Sequence, residues 1–408
     1  MLSGVVTAPT LRIDGSVVEK QGYDQKSGLF LSLKDIFPKV PESPTREQAQ
    51  EALARLKSIL KNFPFESVAS KSVILAGFLT AAIRRSLPAA PAIGVTAPTM
   101  GTGKSLLSDL IAIIATGEAA IPTSLPFEEA EIEKRLLAML MAGAPVLAID
   151  NIESHVRSAA LCTILTQSSY KARILGVSKE AAVQTNILVL LNGNNLVIRG
   201  DMTTRVILCS LDAQDERPQA RKFDVNPKVY VKKNRAQMIT DILTIIRAYI
   251  VSGEQVDIQE FGRFESWSRF VREPLVWLGC CDPLDTIEEI EKNDPVRVAH
   301  TLVLTALSEL YEEKTFQAKD AVKVYGNGTP KQLQLRQAAY DALESAVQSL
   351  KGLNARTCGI LFRQMEKRVY NGMRLIRAGQ YQGTETWRVE HINDNSGGSG
   401  QIKPTRES

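Results

Sequence analysis

The stretch Ala97-Pro98-Thr99-Met100-Gly101-Thr102-Gly103-Lys104-Ser105 constrains the fold of this chain more than any other. An apolar run at 92–96 precedes it and reads as a buried parallel strand. The run 106–114 that follows has helical spacing and stops at Gly117. Strand, glycine loop and helix in that order form the setting of a phosphate-binding loop. Its glycines let backbone N–H groups close around phosphate oxygens at a helix N-terminus. Gly101, Thr102 and Gly103 are expected to form the cradle, with Lys104 reaching the β- and γ-phosphates and Ser105 a magnesium ion. Pro98 stands where the loop motif has its first glycine. It stiffens the entry and leaves the amides from Gly101 onward in place.

A chain of 408 residues exceeds what one core holds, so two or three domains are expected. With 44% hydrophobic and 23% charged residues, the composition is that of a globular protein. The most apolar run, 73–83, is too short to span a bilayer, and the start lacks the basic and apolar regions of a signal peptide. A cytoplasmic chain without a membrane partner is therefore expected. Five cysteines form no C-x-x-C pair, which points to reduced thiols rather than a zinc site. A net charge of +4 says less about a polyanionic partner than the positions of the basic residues do.

Residues 1–42 alternate β-prone pieces with turns, and Asp14-Gly15 predicts a hairpin. A helical subdomain is expected over 43–90. Thr45 would cap a first helix with Ala49, Ala52, Leu53, Leu56, Ile59 and Leu60 on one stripe, and a second helix covers 66–85. The nucleotide core is expected over 91–222, with strands at 145–150, 186–191 and 205–209 alternating with helices at 128–141 and 156–166. That alternation implies an α/β fold, a parallel sheet flanked by helices. A helical region follows over 223–325. Residues 326–392 read as helix, helix and hairpin, the order of a C-terminal winged helix. The glycine- and serine-rich tail 393–408 is expected to be disordered.

Asp150 ends an apolar strand, which in such a sheet sets it beside the loop to hold the magnesium shell. The next position, where a second carboxylate would polarise the attacking water, is Asn151, which cannot take a proton. Glu153 is the nearest substitute, and Glu128, Glu129 and Glu131 could reach in from another helix. Asn192, Asn194 and Asn195 end the following strand. An amide there can touch the γ-phosphate or the lytic water, and Asn194 is the best candidate. Arg205 starts the last strand and is expected to lie several strands from its own Lys104, facing a neighbour's phosphate instead.

Gly-Thr-Gly-Lys-Ser at 101–105, Ile-Asp at 149–150, Asn-Gly-Asn-Asn at 192–195 and Arg-Val-Ile at 205–207 occur in this order. With them the core resembles an AAA+ ATPase of the viral and plasmid replicative-helicase type. It is similar to superfamily 3 helicases and, more closely, to the helicase part of the primase–helicase proteins of phages and genomic islands. The pieces at 4–12, 173–176, 193–201 and 264–268 extend the resemblance over most of the chain. It implies ATP and Mg²⁺, a homo-hexameric ring, and single-stranded or forked DNA as the partner. Lys104, Ser105, Asp150 and Asn194 would come from one subunit and Arg205 from the next.

The resemblance also implies a DNA-gripping hairpin before the sensor strand, here 171–180 with Lys179 near its tip. In the winged helix Arg356, Arg363, Lys367, Arg368, Arg374 and Arg377 would contact phosphates, unless the domain binds protein, with Trp387 in its core. Residues 1–42 cannot hold a primase, so priming falls to a separate chain or to a longer protein. Asn151 keeps open an alternative of another class: a nucleotide-switched initiator or regulator that assembles on DNA without unwinding it.

Overall fold

The computed structural model describes residues 2–153, 155–173, 180–215, 223, 225–292, 294–325, 328–347 and 352–392. Lys179 and the tail 393–408 lie outside them. The chain divides into two compact units, Met1–Glu291 and Lys292–Ser408.

The first unit opens with short strands β1 (Gly4–Val6), β2 (Thr10–Leu11), β3 (Val17–Val18), β4 (Gly22–Asp24) and β5 (Leu29–Leu31). β2 and β3 form the antiparallel hairpin expected around Asp14-Gly15, with Gly15 in the left-handed region at φ 84°. β5 pairs parallel with β1 and antiparallel with β4. Helix α1 (Arg46–Ile59) starts on a reciprocal cap. The Thr45 hydroxyl accepts from Gln48 N–H at 3.3 Å and Gln48 Oε1 accepts from Thr45 N–H at 2.9 Å, worth about 1 kcal/mol. Helix α2 (Val68–Ile83) is apolar on all sides because it is buried on nearly all sides.

The region around the glycine loop then alternates: β6 (Ala92–Ala97), α3 (Lys104–Thr116), β7 (Pro122–Thr123), α4 (Glu129–Met141) and β8 (Val146–Ile152). It continues through β9 (His155–Val156), α5 (Ala159–Thr166), β10 (Ser169–Arg173), β11 (Glu180–Gln184), β12 (Leu188–Asn194), β13 (Val197–Ile198) and β14 (Val206–Ser210). Five strands make one sheet in the order β14-β6-β12-β8-β7, and every pair in it is parallel. Leu188 and Leu190 enter one core with α1, α2, α3 and the later helix α6 (Pro227–Ser252), whereas Val189 and Leu191 enter a second core with α4 and α5. Burial on both faces explains why these strands are continuous apolar runs.

Two details differ from the sequence expectation. Helix 156–166 begins only at Ala159, because Ser158 caps it (its Oγ accepts from Leu161 N–H at 3.1 Å) and β9 pairs with β13 instead. The strand placed at 186–191 instead runs from Leu188 to Asn194, so Asn192, Gly193 and Asn194 are strand residues rather than a turn. Its start is pinned by Arg84, buried at the end of α2. The guanidinium donates to the carbonyls of Ile187 at 2.9 Å, Thr185 at 2.7 Å and Leu87 at 2.7 Å. Burial without a counter-ion pushes this arginine down to about 9.

After α6 come α7 (Glu265–Trp267), a π-helical turn Ser268–Arg272, α8 (Glu273–Trp277) and α9 (Asp285–Lys292). The second unit contains α10 (Pro295–Tyr311), β15 (Phe316–Gln317), α11 (Ala318–Ala321), α12 (Pro330–Ala346) and α13 (Ala355–Met365). It ends in β16 (Val369–Tyr370), β17 (Met373–Tyr381) and β18 (Thr384–His391), with sheet order β15-β18-β17-β16. Trp387 is 1% exposed and meets Phe362 edge-on at 5.6 Å. Among the described residues no helix is long and apolar enough to cross a membrane.

Candidate functional site

The loop after β6 has both central glycines in the left-handed region, Gly101 at φ 77° and Gly103 at φ 108°. A side chain at Gly103 would be strained and would also meet the Phe63 ring at 3.2 Å. Gly103 is the N-cap of α3 and carries no side chain to satisfy the first-turn amides, so these stay available to an anion. Thr102 is buried at the floor of the turn. Lys104 Nζ folds over the loop and donates to the Thr99 carbonyl at 2.8 Å. Partial burial holds its ammonium below the ordinary lysine range, and Asp150 acts in the opposite direction.

Parallel pairing brings the carboxyl ends of β6, β12 and β8 to the same edge. Ser105 Oγ donates to Asp150 Oδ2 at 2.9 Å, so the two residues expected to share a metal touch directly. Asn151 follows at φ 54° in the left-handed region, where the pairing of β8 with β12 slips by one residue. Its backbone N–H donates to Asp150 Oδ1 at 2.8 Å and its side-chain amide to Glu153 Oε1 at 3.0 Å. Of the alternative carboxylates, Glu129 accepts from Ser158 Oγ at 2.9 Å and Ala160 N–H at 2.8 Å, which ties it to the start of α5. Glu131 pairs with Lys134 at 2.6 Å.

Asn194 pairs in register with Ala97, the residue at which the loop begins. Its Oδ1 is buried without a hydrogen-bond partner among the described residues. Such an orphaned polar atom, aligned with the loop, fits a site built for a polar ligand. Two supports escape sequence reasoning. Ser108 Oγ donates to Asn192 Oδ1 at 2.7 Å in the interior, and Leu196 N–H donates to Thr96 Oγ1 at 2.8 Å. The only sequence signal for the first is that Ser108 lies one helical turn from Lys104, on a helix already expected to face the sheet.

Arg205 is not several strands from the loop, as the sequence reading expects. Its strand, β14, is the immediate neighbour of β6, and the Arg205 carbonyl accepts from Ala92 N–H at 2.9 Å. The separation runs along the strands: Ala92 and Ala97 are about 16 Å apart at the usual rise. Arg205 therefore lies at the amino edge of the sheet and the loop at its carboxyl edge. There its guanidinium donates to Thr204 Oγ1 at 3.1 Å and to the Asp201 carbonyl, while its Nε is buried without a partner among the described residues. It lines a cavity of about 880 Å³ together with Asp201, Arg263, Arg272, Asp282 and Glu288.

The arms of the expected hairpin, β10 and β11, pair antiparallel from Ser169–Gln184 to Arg173–Glu180, and Lys171 pairs with Glu180. In the second unit α13 buries Cys358, Leu361, Phe362 and Met365 and leaves Arg356, Ile360, Arg363 and Gln364 exposed. Arg363 lies 3.4 Å from Glu385. Arg377 pairs with Glu366 at 2.9 Å and Glu385 at 3.0 Å, and Arg374 with Glu390 at 2.6 Å. Lys367 follows the helix in the left-handed region at φ 62° and is exposed, as is Arg368.

No family model and no curated protein matches the chain. Among solved structures it is similar to the A-form apo structure of the NrS-1 C-terminal region, CTR(305–718). That likeness has 12% identity and a TM-score of 0.43, over 93% of this chain and 84% of that chain.

Proposed function

We propose that this chain is an ATP-dependent DNA translocase, a helicase of AAA+ type that hydrolyses ATP at the subunit interfaces of a homo-hexameric ring during replication of a mobile element. The observation that carries the reading is the Ser105–Asp150 contact at the carboxyl edge of a parallel sheet, beside a loop with two left-handed glycines. Backbone amides from Gly101 to Gly103 would hold phosphate, and Lys104 would leave the Thr99 carbonyl for the β- and γ-oxygens. Ser105 and Asp150 would hold Mg²⁺, which when bound neutralises phosphate charge. Asn194 would offer its unpartnered Oδ1 as an acceptor to the attacking water on the γ-phosphate side. Glu153 is the candidate to take the proton of the attacking water.

Arg205 would complete a neighbour's site, because its own loop lies at the other edge of the sheet. DNA contacts are assigned to Lys179, Arg363 and Lys367, the last two in a C-terminal winged helix. Priming would then belong to a separate primase or to a longer protein that contains this chain. A forked-duplex unwinding assay with ATP tests the whole reading. Strand separation that requires hydrolysable ATP is the expected result. Asn151, which supplies no base next to Asp150, favours a second reading, a nucleotide-switched initiator. ATP-dependent DNA binding without unwinding would select it.

A further inference from the structure

Asn151 carries more of the site than its chemistry as a strand-end amide suggests. Its left-handed φ of 54° coincides with the slip between β8 and β12, after which Ile152 pairs with Gly193. A Cβ on Gly193 would stand 2.5 Å from the Ile152 carbonyl oxygen, so the two strands close tightly around the bulge. The slip has a consequence for register. Glu153 and Asn194 each follow one residue beyond the Ile152–Gly193 pair, and Asn194 pairs with Ala97 at the root of the loop. Glu153 thus comes level with Asn194 at the edge of the sheet where the loop stands. Meanwhile the two polar ends of Asn151 point at two different carboxylates: its N–H at Asp150 at 2.8 Å and its side-chain amide at Glu153 at 3.0 Å.

We infer that Asn151 is a positioning residue that divides two carboxylate tasks, fixing Asp150 for the metal with its backbone and aiming Glu153 at the attacking water with its side chain. An uncharged residue suits this place. A carboxylate at 151 would repel Glu153, whereas an amide donates to it and leaves its second oxygen to accept a proton from water. Asparagine also tolerates the left-handed backbone of the bulge better than other non-glycine residues. The inference rests on the proposed role of Glu153.

The test is a double-mutant cycle in the full chain. Glu153→Gln should lower ATP turnover about a hundredfold, the scale of a general base. Asn151→Gly keeps the left-handed backbone, removes only the amide, and should lower kcat roughly tenfold or more, the cost of a misaimed group. The double variant should be no slower than Glu153→Gln alone, because Asn151 acts through Glu153. ATP–Mg²⁺ affinity by titration calorimetry should stay within about twofold in all three, since uniform binding is not being removed.

A measurement without turnover accompanies the cycle. With asparagine-selective ¹⁵N labelling and no nucleotide, the Asn151 side-chain signals, identified by their loss in Asn151→Gly, should move in Glu153→Gln. Signals that do not move overturn the inference. Asn151→Gly at wild-type rate beside a slow Glu153→Gln, or a double variant tenfold slower than Glu153→Gln, overturns the inference and leaves the base assignment standing. Glu153→Gln at wild-type rate, or a wild-type chain that hydrolyses no ATP, overturns both.

Discussion

Ser105 and Asp150 are 45 positions apart in sequence and 2.9 Å apart in space, hydroxyl to carboxylate, across the first turn of α3 and the end of β8. One strand, β7, and one helix, α4, lie between their elements along the chain, yet neither side chain has to stretch. Parallel strands bring all their carboxyl ends to one edge, and that edge is where ligands of open α/β sheets bind.

Asp150→Asn keeps an acceptor for Ser105 and removes the negative charge that a divalent cation needs. ATPase activity should fall by about a hundredfold or more, with half-saturation moved to higher Mg²⁺, since several kcal/mol of metal-borne stabilisation depend on the charge. Turnover measured against Mg²⁺ concentration checks this. An unchanged Mg²⁺ curve would remove Asp150 from the metal shell.

Gly193→Ala tests the close approach of β8 and β12. The added methyl has nowhere to go except against the Ile152 carbonyl, a backbone atom that cannot rotate away. We expect a loss of roughly 1–3 kcal/mol, the usual cost of overpacking, visible as a lower melting temperature. Because the strand must shift where Asn194 and Glu153 sit, turnover should fall as well. A variant with native melting temperature and turnover would mean that the bulge has slack.

Lys104→Ala and Arg205→Ala should each abolish hydrolysis, one by removing the cation on the phosphates and the other by removing a charge supplied to a neighbour. Mixed, they should recover part of the activity at interfaces that pair an intact loop with an intact Arg205. Activity per chain should rise with protein concentration. Normal hydrolysis by Arg205→Ala, or no recovery despite confirmed co-assembly, would disprove a shared site.

Asp24 anchors the N-terminal strands through Arg12, whose Nε donates to Oδ2 at 3.0 Å and whose second nitrogen lies 2.6 Å from Oδ1. Arg12 foremost, then Ser27, holds this carboxyl well below the usual carboxylate range. A folded value below the unfolded one, about 3.9, means stability that is present above that pH and lost as pH falls below it. Asp24→Asn should therefore cost about 1–3 kcal/mol at neutral pH, and progressively less as pH falls below about 4 toward 2. Melting temperatures of both forms across that range provide the check.

What the chain's local chemistry determined is what depends on neighbours in sequence. Thr45, Ser67 and Ser158 cap helices with their own side chains. Gly101 and Gly103 permit a backbone that other residues resist, and unbroken apolar strands announce burial on both faces. The loop, Asp150 and the helix–helix–hairpin order of the second unit were legible on those grounds. Strand order was not legible, because a parallel pair is joined by a long crossover that leaves no local mark of which neighbour it reaches. That is why Arg205 sits one strand from the loop yet at the opposite edge. The bulge at Asn151 was equally hidden. Asparagine in the left-handed region, a slipped register and a glycine crowded by the Ile152 carbonyl exist only once β8 and β12 lie side by side.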